Sequence, residues 1–260
     1  MIQKQEILAP AGRRDVLEAA IGAGADAVYL GGKRCNMRLH QRAWNFEDHE
    51  LERAVSYCHE RGKKLYVTLN NLQTAEEMAE IDDYLRFLSD IRPDAVILQD
   101  LGLLRRIREL GLQLDIHIST MLNTHNAPTL ALLARHGVTR VVLSKDIALK
   151  DVHRLRTETA ATGIELEYFV HGDTCIAHHG SCAQSGVVFG ASSNKGRCYK
   201  SCRWDYELVD AATGAKVASF NDGPYVLAHN DLCLLSHIPE VVRSGIATLK
   251  IEGRMRPAEY

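Results

Sequence analysis

The sequence predicts an α/β protein: a TIM-like (β/α)8 barrel with a cysteine-rich insertion between strands 7 and 8, and with the final helix missing from the chain. Three observations carry that expectation. A short β-branched run, a polar or glycine-rich corner and an amphipathic stretch recur as one phrase, and the phrase supplies eight strand candidates. Successive strands start roughly 20 to 37 residues apart, except the last pair, which stands about 80 apart. The sequence ends at Tyr260, shortly after the eighth strand, with no further helical stretch.

The strand candidates are "EILAPAG" at 6, "AVYLGG" at 27, "KLYVTLNN" at 64 and "AVILQD" at 95, then "LDIHIST" at 114, "RVVLSK" at 140, "ELEYFVHG" at 165 and "TLKIEGR" at 248. Between them, "RDVLEAAIGAG", "AEEMAEIDDYLRFLSDI" and "LGLLRRIRELG" space their apolar residues for one helical face. Glycines in "GADAVYL", "GLQLDIHI", "GVTRVVL" and "GIATLKI" sit where a C-cap turns the chain back into a sheet. Eight such units match a closed parallel barrel better than an open doubly wound sheet, which usually has fewer strands. Residues 1–172 then carry strands 1–7, residues 173–236 form the insertion, and residues 237–260 supply the last helix and strand. The insertion falls at a βα corner, the face on which barrels place their chemistry.

A chain of 260 residues with 46% apolar content can bury a large core. Its net charge of −2 excludes a surface coated for nucleic acid, so any RNA contact must use a local patch. No run of 18 apolar residues appears, and "MIQKQEILAP" lacks the layout of a signal peptide, so a cytoplasmic protein without a membrane partner is the simplest reading.

In a reducing compartment the seven cysteines do not read as a disulfide framework. Four of them follow the spacing Cys175-x6-Cys182-x15-Cys198-x3-Cys202. Four thiolates suit either tetrahedral Zn²⁺ or an iron–sulfur cluster. The wide gaps differ from the two-residue knuckles of zinc ribbons and favour the larger [4Fe–4S] cubane, with Zn as the alternative. Cys35, after strand 2, and Cys233, at the far end of the insertion, each remain able to replace Cys202 or Cys175. Cys58 has the helical spacing of a small core residue, and Cys233 could be another.

His171 ends strand 7, where a barrel places catalytic groups, while His178 and His179 lie between ligand candidates and could tune a cluster or be loop residues. Lys195, Arg197, Lys200 and Arg203 either balance thiolate charge or bind an anion such as a carboxylate, phosphate or RNA backbone. The strand ends add Asn70, Asp100, Ser119, Glu252 and Arg254 as inward-facing polar groups. Glu252 and Arg254 alternate about Gly253, so both should face one way, with Lys250 deeper on the same side. An arginine there could clamp a substrate carboxylate while Glu252 positions it or serves as a base. The alternative is a rim salt bridge that holds the barrel closed. No H-E-x-x-H or G-x-S-x-G motif is present, and only Cys175 with His171 could be assembled into a nucleophile and base.

Four blocks, "EILAPAGRRDVLEAAIGAGADAVYLGG", "FVHGDTC", "GRCYKSCRWDYEL" and "LKIEGRMRPAEY", together resemble the collagenase-like peptidase family U-thirty-two along nearly the whole chain. The family name implies proteolysis. Its bacterial branches imply instead an iron–sulfur protein that hydroxylates a tRNA wobble uridine or an rRNA cytidine, linked to prephenate, or that acts in ubiquinone synthesis. By that resemblance Cys175, Cys182, Cys198 and Cys202 fall on the cysteine pattern of the RNA-hydroxylating branch, with RNA or a small aromatic molecule as acceptor. A small organic acid would be the donor, anchored through Arg254. Family members usually continue past "KIEGR" with a helix and often a further domain.

Overall fold

The computed structural model describes residues 4–217 and 223–260. Eight parallel strands close into a barrel: β1 (Glu6–Pro10), β2 (Ala27–Leu30), β3 (Lys64–Leu69), β4 (Ala95–Leu98), β5 (Ile116–Ile118), β6 (Val138–Val142), β7 (Glu165–Gly172) and, after a two-residue strand β8 (Leu232–Cys233), β9 (Thr248–Ile251). Each pairs with the next, and β9 completes the ring by pairing with both β7 and β1. All eight predicted strands are present. β8 stands outside the ring, antiparallel to the end of β7, where His171 faces Cys233.

Helices α1 (Arg14–Gly22), α2 (Asp48–His59), α3 (Ala75–Ala79), α4 (Asp82–Ile91), α5 (Leu101–Glu109), α6 (Ala127–Arg135) and α7 (Leu149–Glu158) cover the outside of the strands. The stretch "AEEMAEIDDYLRFLSDI" forms two helices rather than one. Thr74 and Glu77 build a capping box that starts α3, and Asp82 begins α4 two turns later. In α4, Tyr84, Leu85 and Leu88 are buried against the barrel, and each of the two leucines contributes roughly 1.5–3 kcal/mol. Helix α8 (Gln184–Phe189) lies within the connection from β7 to β9, and α9 (Ile238–Arg243) leads back into β9. Cys58 is fully buried in α2, as its spacing predicts; Cys233, the other candidate for the core, is exposed on β8.

Two cores result from the closed sheet. The outer one packs strand faces against helices. The inner one joins Leu8, Ala27, Tyr29, Tyr66, Ala95 and Ile97 inside the ring. Charged side chains occupy much of the rest of the interior, beside His117, Thr68 and Phe169. Arg140 pairs with Glu6 at 2.6 Å and Glu165 at 2.7 Å, Tyr66 donates to Glu6 at 2.8 Å, and Lys250 meets Glu167 at 2.6 Å. Because these groups plug one end of the barrel, the open end at the strand C-termini is left for ligand.

Candidate functional site

A cavity of about 150 Å³ opens at the C-terminal ends of the strands, between the barrel mouth and the segment that follows β7. A space of that size holds about one six-membered ring. Its floor comes from the barrel: Tyr29 of β2, Thr68 of β3, Phe169 of β7 and Lys250 of β9. Its wall comes from residues 173–203, which include Cys175, Cys182, Cys198 and Cys202.

Arg254 reaches the floor from just beyond β9. Its guanidinium is buried and donates to Thr68 Oγ1 at 3.0 Å and to Asn36 Oδ1 at 3.5 Å. Among the described residues no carboxylate forms an ion pair with it. Burial, then the neighbouring Arg38 cation, pulls its pKa down to about 10, so it is still charged near neutral pH. Gly31 makes the approach possible: a Cβ there would stand 2.7 Å from Arg254 Nη1 and 2.9 Å from Thr68 Oγ1.

Glu252 accepts a hydrogen bond from Tyr29 Oη at 3.1 Å and lies 3.6 Å from Arg38 Nη2. Burial alone would raise its pKa; the combined field of Arg38, Lys145, Arg254 and Lys200 outweighs that and holds the carboxyl ionised, with its pKa lowered. The strand itself ends at Ile251, so Glu252 and Arg254 sit in the turn beyond it rather than on a strand, yet both line the cavity. Lys250 lies deeper, as expected. Gly172 fixes this corner: its φ is 106°, and a Cβ would come within 2.2 Å of the Glu252 carbonyl oxygen.

Asn70 and Ser119 also line the cavity, each held by backbone: Asn70 Oδ1 accepts from Met37 N at 3.2 Å and Ser119 Oγ from Met121 N at 3.2 Å. Asp100 does not. It caps the start of α5, accepting from Gly102 N at 2.7 Å and Gln73 N at 3.0 Å, which uses both carboxylate oxygens. His171 is likewise outside the lining. The β7–β9 register shifts between Phe169 and His171, which breaks the alternation that would have carried Phe169's inward direction to it, and its ring lies 5.7 Å from Tyr260 instead. The base paired in prospect with Cys175 thus lies outside the cavity that Cys175 lines.

The four clustered cysteines are free, and all face the cavity. Cys35 and Cys233 do not line it: Cys35 is buried with its thiol 3.6 Å from Gln73 Oε1, and burial pushes its pKa up to about 12. Among the described residues no three Cys, His, Asp or Glu side chains converge at metal-ligand distance. Burial also raises the Cys175 and Cys202 thiols.

Asp173 ties the wall together, pairing with Lys200 at 2.5 Å and Arg203 at 2.7 Å; burial opposes its ionisation, but these two cations keep its pKa well below the usual range. Lys195 bonds Leu72 O at 2.9 Å and pairs with Glu77. Thus three of the four basic residues have carboxylate partners, and Arg197 is exposed. His178 and His179 both line the cavity. His178 stacks on His125 with centroids 5.5 Å apart, and burial plus Lys145 lowers the His179 pKa to about 4.

Sequence reasoning missed Arg38, Lys145 and Asp173. Lys145 closes the quoted strand candidate "RVVLSK" and Asp173 opens the insertion, so strand-end position was a usable signal for both. Lys145 Nζ donates to the Asp173 carbonyl and lies 4.3 Å from the Phe169 ring centroid; burial lowers its pKa, against the pull of Glu252 and Asp173. Arg38 stands in an irregular loop with no periodicity to mark it.

Residues 12–260 match the family described as Peptidase family U32. The chain is 34% identical to the tRNA hydroxylation protein P1 of Bacillus subtilis (strain 168) across 99% of its own length and 60% of that protein's. It is 30% identical to the tRNA hydroxylation protein P of Escherichia coli (strain K12), covering 99% of this chain and 65% of that one. It therefore spans somewhat under two thirds of these relatives. A solved structure described as the U32 peptidase Mk0906 superposes with a TM-score of 0.62 at 14% identity, over 98% of this chain and 95% of that one, which shows the shared fold.

Proposed function

The chain belongs to peptidase family U32, and from that premise we propose that it acts in hydroxylation of a tRNA nucleobase, with a [4Fe–4S] cluster held by Cys175, Cys182, Cys198 and Cys202. The observation that carries this reading is the meeting, in one cavity, of four free thiols and the buried, carboxylate-free guanidinium of Arg254. The thiols lie on loops and one 3-10 turn, Ser201–Arg203, which can close round a cluster without breaking a long helix or a barrel strand. When bound, such a cluster supplies electron transfer or Lewis acidity at the cavity wall.

The protein's own groups divide the remaining work. Arg254, backed by Thr68 and Asn36, presents a planar cation to an anionic co-substrate such as a small organic acid of the prephenate kind. Glu252, kept ionised, can accept a proton from a group seated above Tyr29. The apolar faces of Phe169 and Tyr29 suit one aromatic ring, and a cavity of about 150 Å³ admits a base only after it leaves its stack. Hydroxylation of a quinone precursor uses the same ring-sized space and is the second reading. Peptidase activity has less support: His171 lies away from Cys175's cavity, and a space for one ring is small for an extended peptide.

The test is nucleoside mass spectrometry of tRNA from cells lacking the gene, complemented by the parent protein or not. Loss of a hydroxylated pyrimidine that the parent gene restores supports the proposal. An unchanged nucleoside profile with altered quinones would replace it with the second reading.

A further inference from the structure

An exposed aromatic surface lies on the back of the cavity wall, and nothing in the proposed chemistry uses it. Phe189 ends α8, Tyr199 follows Cys198, and Trp204 follows the turn that carries Cys202. The Phe189 ring centroid lies 5.5 Å from Tyr199 and 5.3 Å from Trp204, at interplanar angles of 84° and 55°. The three residues are 40%, 45% and 46% exposed, and Val187 and Val188 beside Phe189 are more exposed still. Large apolar side chains clustered in water mark a surface that meets something.

Two features say what. Cys198, Lys200 and Cys202 line the cavity while Tyr199 and Trp204, the residues between and after them, do not. One stretch of chain therefore separates the aromatic surface from the cavity. One cation beside the rings is also left free: Lys195, Lys200 and Arg203 are paired with carboxylates and Asp205 follows Trp204, but Arg197, two residues before Tyr199, is exposed without an ion pair among the described residues. Aromatic rings interleaved with cations suit single-stranded nucleic acid, whose bases stack on the rings while its phosphates meet the charge.

We infer that Phe189, Tyr199 and Trp204 form a stacking platform for the unpaired nucleobases next to the one entering the cavity, with Arg197 meeting a neighbouring phosphate. The inference rests on the RNA reading above and deepens it. Since the cavity holds about one ring, the bases flanking an extruded nucleotide must lie outside it. The platform is an exposed aromatic surface one stretch of chain from the cavity, able to replace the stacking they lose.

The experiment measures binding of a fluorescein-labelled oligouridylate, and separately of bulk tRNA, by anisotropy. Trp204→Ala, Tyr199→Ala and Phe189→Ala should each weaken oligouridylate binding about 5- to 100-fold, with Trp204→Phe recovering most of the loss. Arg197→Gln should weaken it less and flatten its salt dependence. The chain has two tryptophans, so in a Trp44→Phe background the emission of Trp204 should be quenched by oligouridylate. Unchanged binding in all three alanine variants, with tRNA hydroxylation intact in the parent, overturns the platform and leaves the functional reading standing. Absence of binding in the parent together with unmodified tRNA chemistry overturns both. Sedimentation showing a dimer that Trp204→Ala turns into a monomer assigns the surface to a second copy of the chain and also overturns the inference.

Discussion

Lys250 Nζ lies 2.6 Å from Glu167 Oε1, across the β9–β7 pair, with both side chains almost wholly withdrawn from water. The same ammonium stands 4.3 Å from the Tyr29 ring centroid, so one cation joins the charged plug of the barrel to the cavity floor. A buried pair of this kind does little net work for stability, but removing Lys250 takes away the nearer of Glu167's two cations and leaves it only Arg140, 3.7 Å away. Lys250→Met should therefore cost about 3–5 kcal/mol in urea unfolding, whereas the double variant Lys250→Met with Glu167→Leu should recover at least half of that. Equal losses in the single and double variants would show that the pair is not the source of the effect.

Arg254 stands in the opposite situation. It is buried with only a hydroxyl and an amide oxygen as acceptors, so its desolvation is met by no opposite charge in contact. A residue kept there despite that cost is expected to serve a ligand rather than the fold. Arg254→Met should leave the thermal midpoint unchanged or raise it, while lowering the hydroxylated fraction of tRNA in complemented cells about 100-fold. A fall in midpoint of many degrees, with modification retained, would make Arg254 a structural residue instead.

The cysteines divide by placement. Anaerobically purified parent protein should be brown and contain about four irons per chain. Cys175→Ala, Cys182→Ala, Cys198→Ala and Cys202→Ala should each lose most of that iron, whereas Cys35→Ala and Cys233→Ala, whose side chains lie outside the cavity lining, should keep it. Retention of iron in Cys202→Ala together with its loss in Cys233→Ala would move the fourth ligand to β8. A colourless protein holding one zinc would replace the cluster altogether.

Periodicity made the barrel legible because β-branched runs and amphipathic helices are repeated, local features. It carried the strand order and the rim as the site, and it put Asn70, Ser119, Glu252 and Arg254 at the cavity. It failed where a single backbone event decides a direction. His171 is turned away by one register shift, and Asp100 is used up as a helix cap, which a strand-end aspartate before "LGLL" could have signalled. Arg38 and the pairing of Asp173 with Lys200 and Arg203 depend on how irregular loops fold over the barrel, and no short-range pattern encodes that.

His117 gives the interior a pH dependence that can be worked out in sign. Its ring is buried edge-on to Tyr66 with centroids 4.8 Å apart, and its Nδ1 has no hydrogen-bond partner. Burial first, then the cations Arg140, Lys250 and Lys64, push its pKa well below 6.5. The native protein therefore keeps His117 neutral while the unfolded chain protonates it below about pH 6.5. The stability it contributes is complete above that pH and is lost as pH falls. At about pH 5.5 the loss from this one group should be roughly 1.4 kcal/mol relative to pH 8. Replacing it by phenylalanine, His117→Phe, preserves the edge contact and removes the titration. The difference in unfolding free energy between parent and variant should then shift by that amount between the two pH values, in the variant's favour on the acid side. Parallel pH profiles for the two proteins would mean that His117 is protonated in the folded barrel.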